Sequence, residues 1–318
     1  MVMETGERDK SQINRREFLR LSGLCAAGLA GCAAPPAVSS AGGIIDAHVH
    51  VWTPEITAYP LWQGYTRADM QPPGFTPEQL FEHCRPEGVE KVVLIQMSYY
   101  RFDNSYMLDC MKQYPGVFAG VGLVDWFSDR PDEQMKQLAG HGVRGFRITL
   151  RGAKSPDTWV ETPAFERMFR FAADHELAIC PLMNLAGLPS LERMCMKHPD
   201  TMVVIDHFCR IGTDGKIRDA DIAALAAMAQ YPRVHVKVSA FYALGQKRPP
   251  HSDLEPMIRR MHAAFGADRL MWGSDCPFAV VGETYSDSLA LVRDGCTWLS
   301  RRDRLWMLER TAEKIFFP

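Results

Sequence analysis

Ile44-Ile45-Asp46-Ala47-His48-Val49-His50-Val51 is the stretch from which the rest of the chain is best interpreted. Its β-branched residues favour a short strand in an apolar layer. Because side chains alternate along a strand, His48 and His50 should point to the same side, roughly 6–7 Å apart. Two such imidazoles can bind a divalent ion or polarise a substrate oxygen, but they can equally be hydrogen-bonded structural histidines.

Further apolar runs follow this one, and amphipathic stretches lie between them. The strand candidates are 44–51, 91–96, 118–124, 145–148, 178–182, 201–205, 234–238 and 270–272. Thr76-Pro77-Glu78 and Thr162-Pro163 each place an N-cap residue before a proline at the first helical position. Eight strand–helix units within residues 44–318 predict a (β/α)8 TIM barrel. An open doubly wound sheet is the alternative, although no Gly-x-Gly-x-x-Gly motif follows an early strand.

Residues 1–31 are typical of an export signal and not of a folded domain. Asn14-Arg15-Arg16-Glu17-Phe18-Leu19-Arg20 is a twin-arginine pattern, and the weakly apolar run 21–31 follows it. That run is too short and too rich in glycine and alanine to span a bilayer as a helix. The twin-arginine route carries folded proteins, so the barrel would fold, and could bind a metal ion, before export.

The end of the signal resembles the lipobox of bacterial lipoproteins, in which a cysteine is lipidated. Its sequence is Leu29-Ala30-Gly31-Cys32, and the alternative is plain cleavage near Ala33-Ala34 without a lipid. Residues 32–43 would then form a flexible tether. We therefore expect a periplasmic protein that is anchored through a lipid on Cys32.

Composition argues against several other classes of protein. The formal net charge of −2 gives no basic footprint for a nucleic acid. No later segment approaches the apolar length of a membrane span, so a lipid anchor would be the membrane contact. Of nine cysteines, Cys25 would leave with the signal and Cys32 would carry the lipid. Seven cysteines would remain, and an odd number without a Cys-x-x-Cys pair is poor evidence for a disulfide framework.

Polar residues follow the first, sixth and eighth apolar runs. His48 and His50 finish the first run, His207 follows the sixth and Asp275 follows the eighth. In a closed barrel the ends of these strands surround one mouth, so the four side chains should converge. Three imidazoles and a carboxylate suit one Zn²⁺-like ion, which would lower the pKa of a bound water toward ~7. Without a metal, Asp275 could act as general base while the histidines polarise a carbonyl.

With their flanking residues, these positions resemble the amidohydrolase superfamily. The resemblance rests on Asp46-x-His48-x-His50, Asp206-His207 and Trp272-Gly273-Ser274-Asp275-Cys276-Pro277. Within the superfamily, the chain is similar to the amidohydrolase-related group that includes sugar lactonases and 2-pyrone-4,6-dicarboxylate lactonase. Further marks are Asp103-Asn104-Ser105-Tyr106, Tyr114-Pro115-Gly116-Val117-Phe118-Ala119-Gly120 and Lys237-Val238-Ser239-Ala240-Phe241-Tyr242. The similarity runs from Ile44 to the end in the right order.

Two departures from the superfamily pattern narrow what the resemblance implies. Many members carry a Lys or Glu at the fourth strand end and a metal-binding His at the fifth. Here the corresponding segments, 145–151 and 179–184, contain neither. A two-metal site is therefore not expected, and the decarboxylases, which use the missing histidine, resemble this chain less. One divalent ion and a metal-independent site both stay open.

Arginines near the strand ends indicate a charge preference for the substrate. Arg147 and Arg151 follow the fourth strand, and Arg210 follows His207 as it does in the dicarboxylate lactonase. Guanidinium groups bind carboxylates in bidentate fashion, so arginines that face the mouth would imply an anionic small-molecule substrate. Ordinary salt bridges are the alternative. Tyr242 could line the same pocket, although an aromatic residue there can equally serve packing.

Three further residues suit supporting roles. Lys237 could pair with a carboxylate inside the barrel or hydrogen-bond locally, and Asp206 and Asp46 could orient the neighbouring histidines. The remaining histidines are expected to be surface or structural.

The reaction that the resemblance implies is opening of a sugar lactone or a carboxylated lactone by water. Asp275 would remove the proton of the water, while His48, His50 and His207, directly or through one divalent ion, hold the carbonyl oxygen. Asp275 and His207 are thus the predicted catalytic residues. One alternative is another amidohydrolase-type hydrolase or decarboxylase acting on a non-lactone substrate. The other is a non-catalytic, membrane-tethered binding protein that keeps a degenerate site.

Overall fold

A computed structural model describes residues 43–150 and 155–318 of the chain. The twin-arginine pattern, the predicted lipobox cysteine, most of the predicted tether and Arg151 therefore lie outside the described residues. Eight strands are present: β1 (Ile44–Val49), β2 (Val89–Ile95), β3 (Phe118–Gly122), β4 (Val143–Thr149), β5 (Ala178–Leu182), β6 (Met202–Ile205), β7 (Val234–Ser239) and β8 (Leu270–Gly273). All pairings are parallel, in the order β1 to β8.

The two outer strands of this sheet meet and nearly close it into a barrel. Val49 forms a parallel bridge with Cys276, just beyond the end of β8. The backbone N–H of Asp275 donates to the carbonyl of His48 over 2.8 Å, and that of His50 donates to the carbonyl of Cys276 over 2.8 Å. The predicted (β/α)8 TIM barrel is therefore confirmed.

Helices surround the strands. They are α1 (Pro77–Cys84), α2 (Ser105–Gln113), α3 (Pro131–Gly140), α4 (Pro163–Asp174), α5 (Leu188–Lys197), α6 (Asp219–Ala227), α7 (Glu255–Phe265), α8 (Tyr285–Ala290), α9 (Arg301–Leu305) and α10 (Thr311–Phe316). Two predicted helix starts are confirmed. Thr76 donates its N–H to the Gln79 side chain at the start of α1, and the Thr162 hydroxyl accepts from Phe165 at the start of α4. No helix in the described ranges has the length and apolarity that crossing a membrane requires.

Two apolar layers hold the barrel together. The larger one packs the outward faces of the strands against the helices. The smaller one fills the barrel interior with inward-facing residues such as Ile45, Val121 and Met271, and α10 closes the amino-terminal end with Phe316. The barrel is thus packed at its lower end, so that its buried polar residues concentrate at the carboxyl ends of the strands.

Candidate active site

The join between β8 and β1 positions most of the site. Gly273 is needed there, because a Cβ on it would lie 2.8 Å from the Cβ and 2.9 Å from the backbone N of His48. Asp46, on β1, stabilises the contact between β1 and the end of β8. Its carboxylate accepts hydrogen bonds from the Ser274 N–H over 2.9 Å and from the Tyr285 hydroxyl over 2.6 Å. Burial raises the pKa of Asp46 to about 6 despite these hydrogen bonds.

Asp275 is the centre of the polar cluster at the mouth. Its Oδ1 lies 3.5 Å from the Nε2 atoms of both His48 and His50, and its Oδ2 lies 3.8 Å from Nε2 of His207. The Tyr242 hydroxyl donates to Oδ2 over 2.7 Å. The four predicted residues therefore do converge, and Tyr242 joins them through a direct hydrogen bond.

The backbone around the cluster is strained. Asp275 has φ of 63°, and the run His207–Arg210 has four consecutive positive φ values between 49° and 61°. Left-handed conformations cost roughly 1–2 kcal/mol for each residue other than glycine. Strain of this kind persists where the surrounding structure fixes it, and it is common at functional sites.

Hydrogen bonds fix the ring orientations of two histidines. His50 Nδ1 donates to the carbonyl of Ile95 over 2.9 Å, and its Nε2 faces Asp275. His48 Nε2 lies 3.0 Å from Nη2 of Arg147; because a guanidinium only donates, Nε2 accepts there. Its Nδ1 lies 3.3 Å from Asp206 Oδ1 and 3.2 Å from Nζ of Lys237.

His207 is held differently. Its Nδ1 lies 2.8 Å from the hydroxyl of Ser239, at the end of β7, and its Nε2 therefore faces Asp275 and the pocket. Burial is the largest cause that lowers the pKa of His207, although Asp275 and Asp206 oppose it. The pKa of His48 is lowered well below its usual range, first by burial and then by Lys237 and His207. Both imidazoles are neutral at pH 7, as metal ligands and proton acceptors must be.

A buried ion cluster lies beneath the histidines. Lys237, on β7, is fully buried and its Nζ lies 3.1 Å from Asp206 Oδ1, while Arg147, on β4, reaches Oδ2 over 3.0 Å. Burial alone would raise the pKa of Asp206, but Lys237, His48 and Arg147 together lower it well below its usual range. The predicted carboxylate partner of Lys237 is thus present, and Asp206 orients His48.

Asp275 is ionised at neutral pH. Burial alone would raise its pKa, but His207, the hydrogen bond from His50 and the field of His48 lower it below its usual value. Burial, followed by the charge of Asp275, raises the pKa of Tyr242, so the phenol keeps its proton and continues to donate. A carboxylate, three imidazoles and a phenol therefore meet in one water-poor corner of the mouth.

The donor set fits one small divalent ion. His48, His207 and Asp275 each offer a ligand atom, and these atoms all lie within 4.8 Å of one another. His50 Nε2 is close to the same carboxylate oxygen. Two neutral imidazole nitrogens and a carboxylate are typical ligands of a catalytic divalent site. The Nε2 of His48 is already used by Arg147, however, so an ion and this guanidinium would compete for the same lone pair.

One pocket of about 700 Å³ opens over the cluster. His50, His207 and Asp275 line its floor, and the predicted substrate-binding residues Arg147, Arg210 and Tyr242 also line it. Much of the remaining pocket wall is apolar and consists of Met97, Leu123, Trp126, Phe127, Leu182, Ala240, Ala243, Leu244 and Phe278. The substrate roles of the arginines remain predictions.

Several site residues were not predicted from sequence. Ser239 lies inside a motif quoted above, but its contact with His207 depends on how β6 and β7 pair. Gln96 and Arg101 also line the pocket, and Tyr285 binds Asp46. A polar residue at a strand end was the available signal for Gln96, whereas nothing local indicated the others.

Known proteins resemble this chain over most of its length. The amidohydrolase family profile matches residues 45–317. An L-fucono-1,5-lactonase of Burkholderia ambifaria is 30% identical, over 76% of this chain and 83% of that protein. A 4-sulfomuconolactone hydrolase of Rhizobium radiobacter is 26% identical, over 74% and 76% of the two chains.

Solved structures show the same fold. A zinc-bound amidohydrolase from Burkholderia multivorans superposes with a TM-score of 0.75 and 22% identity, and the match covers 87% of this chain and 99% of that one. At this level of identity the likeness concerns the barrel and not the reaction.

Proposed function

Because the chain belongs to the amidohydrolase family, we propose that it is a hydrolase that opens a lactone ring by addition of water. Relatives named as L-fucono-1,5-lactonase and 4-sulfomuconolactone hydrolase support this reaction class. The observation that carries the proposal is the setting of Asp275. It is a buried carboxylate with imidazoles and a phenol around it, on the floor of a pocket.

Asp275 acts as the general base. Tyr242 donates to Oδ2, so Oδ1 is the oxygen that remains to take a proton from water. The water oxygen forms a bond to the lactone carbonyl carbon as this proton moves to Asp275. When the ring C–O bond breaks, the proton passes from Asp275 to the leaving alkoxide, and a hydroxy acid results.

His207 and Arg147, which line the same pocket as Asp275, stabilise the oxyanion. Without a bound ion, and when the Ser239 hydroxyl donates to Nδ1 of His207, the Nε2 of this histidine carries a proton that it can donate to the carbonyl oxygen. Arg147 also lines the pocket and holds a positive charge beside it. Both groups are positioned by buried partners before substrate arrives, so little reorganisation is needed as charge develops.

A divalent ion fits the same residues. His48, His207 and Asp275 would hold it, with His50 beside them, and it would lower the pKa of a bound water and polarise the carbonyl. We propose zinc as the ion, since nitrogen and oxygen donors suit it and a neighbour with the same fold binds it.

Replacing Asp275 tests the reaction. We expect Asp275→Asn to lower kcat/KM for lactone hydrolysis at least 10³-fold, because the amide keeps the shape but cannot take a proton. A panel of sugar lactones and carboxylated lactones, followed by acid release, measures this. Asp268→Asn, an exposed carboxylate at the other end of β8, is the matched control and should stay within twofold of wild type. Near-normal activity in the Asp275 variant would show that Asp275 is not the general base. A wild type that is inactive on every lactone of the panel would show that the protein does not hydrolyse lactones.

The location of the protein is a separate proposal. We propose that it is exported by the twin-arginine route and anchored at Cys32 in the periplasm. The motif around Arg15-Arg16 and the lipobox-like end of the signal support this.

A further inference from the structure

Arg101 has a conformation that its residue type does not favour. It lies in the loop between β2 and α2 and has φ of 48°, in the left-handed region that glycine occupies without cost. The side-chain amide of Gln96, a buried residue, donates to the Arg101 carbonyl over 3.2 Å and so helps to fix the loop. A long side chain is thus held at a position where it costs stability, which points to a use for it.

Aromatic rings surround the guanidinium of Arg101. Its central carbon lies 5.1 Å from the ring centre of Trp62, 4.7 Å from that of Phe102 and 5.9 Å from that of Phe127. Rings hold a guanidinium by its face and leave its N–H edges free to donate. Its Nε is buried and finds no hydrogen-bond partner in the described part of the chain. None of the ion pairs seen among residues 43–150 and 155–318 neutralises Arg101 either.

The same pocket is lined by Arg101 and by the reacting cluster. Its charged lining consists of Arg101, Arg147 and Arg210 against the single carboxylate of Asp275. Arg147 already pairs with Asp206 beneath the floor. The positive charge of the lining therefore exceeds its negative charge, and Arg101 is an arginine of this lining that Gln96 and aromatic rings hold in place.

We propose that Arg101 is a specificity-determining residue that binds a carboxylate of the substrate, separate from the lactone carbonyl. The natural substrate is then a lactone that carries a free carboxylate, and neutral sugar lactones are poor substrates. The choice of a lactone rests on the proposed function, whereas the binding of a carboxylate at Arg101 does not. A planar guanidinium with free N–H edges matches a carboxylate in bidentate fashion.

Two substrates separate this role from a general effect on catalysis. D-glucaro-1,4-lactone carries a free carboxylate, and D-glucono-1,5-lactone does not. We expect Arg101→Met to lower kcat/KM for the first about 10- to 100-fold, mainly through KM, because one charge-assisted bidentate contact is lost. The neutral lactone should change less than threefold. Arg101→Gly should behave alike, and since glycine accepts the left-handed backbone, a folding defect would not explain the result.

Arg167→Met is the matched control. It removes one exposed arginine from α4 and should leave both substrates unchanged. Equal losses on the carboxylated and the neutral lactone in both Arg101 variants would overturn the proposal, since they would mean a structural role.

Direct binding keeps the test independent of the reaction. Glutarate, a dicarboxylate without a lactone ring, is titrated into each protein by calorimetry. Glutarate binding that weakens at least tenfold in Arg101→Met and Arg101→Gly, but not in Arg167→Met, supports the proposal even if no lactone is hydrolysed. Equal glutarate affinity in all four proteins, or no binding to the wild type, overturns it whatever the enzyme does with lactones.

Discussion

Arg147 limits how readily the histidine cluster can bind a metal ion. Its Nη2 donates to Nε2 of His48 over 3.0 Å, and its Nε and Nη2 both reach Oδ2 of Asp206. One of the three ligand atoms within 4.8 Å is thus already bound to a cation. A divalent ion gains His48 only by displacing a guanidinium that a buried carboxylate holds in place.

Removing this guanidinium should therefore strengthen metal binding. We expect Arg147→Met to raise the affinity for Zn²⁺ at least tenfold, because the lone pair of His48 becomes free and a nearby positive charge is lost. Asp206 keeps Lys237 as a partner, so the cluster should persist. Zinc titration against a competing chelator measures the change, and Arg144→Met, earlier on the same strand, is the control. Unchanged or weaker zinc affinity in Arg147→Met would show that the two cations do not compete.

The residues of the site differ in how visible they were in the sequence. His48, His50, His207 and Asp275 follow apolar runs, and parallel strands in a barrel all end at one mouth, so their meeting follows from the strand count. The partner of Lys237 could not be chosen in this way. It depends on which side chains point inward at one level of the barrel, and this is set by the register of β6, β7 and β1. The role of Arg101 could not be predicted, because no local sequence pattern indicates an arginine in the left-handed backbone conformation.

The individual strands followed from periodicity to within about two residues at their ends. β5, for example, was predicted at 178–182 and is Ala178–Leu182. No pattern in the sequence predicted that a π-helical stretch, Trp306–Arg310, separates α9 from α10. The left-handed run His207–Arg210 was not predicted either. Both are local backbone changes that packing imposes and that hydrophobic spacing does not record.

The amino end of β7 carries a histidine that should make the fold sensitive to acid. Burial lowers the pKa of His235 to about 4, and its Nδ1 donates to the carbonyl of Arg233 over 3.1 Å. The unfolded chain, with an ordinary histidine pKa of about 6.5, binds this proton first. Stability from the neutral side chain is therefore complete above pH 6.5 and is lost as the pH falls from 6.5 to 4.

Urea unfolding between pH 7.5 and pH 4 measures this loss. We expect the wild type to lose up to about 3 kcal/mol over this range beyond what His235→Gln loses, since each pKa unit corresponds to about 1.4 kcal/mol. Glutamine keeps a donor for the Arg233 carbonyl but does not ionise. If the two proteins lose stability in parallel, His235 is not the group that responds to acid.

At the scale of the whole molecule, the state of the thiols is compatible with the proposed export in the folded state. All seven cysteines of the described residues are free and buried. Burial also raises their pKa values, to about 12 in Cys180, so that little reactive thiolate forms at neutral pH. The barrel therefore needs no disulfide to fold in a reducing compartment, and its buried thiols are protected in an oxidising one. This is what export of an already folded protein requires.

Export should then depend on the arginine pair, and anchoring on Cys32. We expect Arg15→Lys with Arg16→Lys to leave the folded protein in the cytoplasm of a bacterial host that has the twin-arginine system, because that route reads the pair. Cys32→Ala should still allow export but should move the protein from the membrane fraction to the soluble periplasm, since the lipid is lost. Cell fractionation with immunodetection measures both, and Cys25→Ala, within the signal, is the control that should change neither. Periplasmic delivery of the double lysine variant would contradict the twin-arginine route, and membrane retention of Cys32→Ala would contradict a lipid on that cysteine.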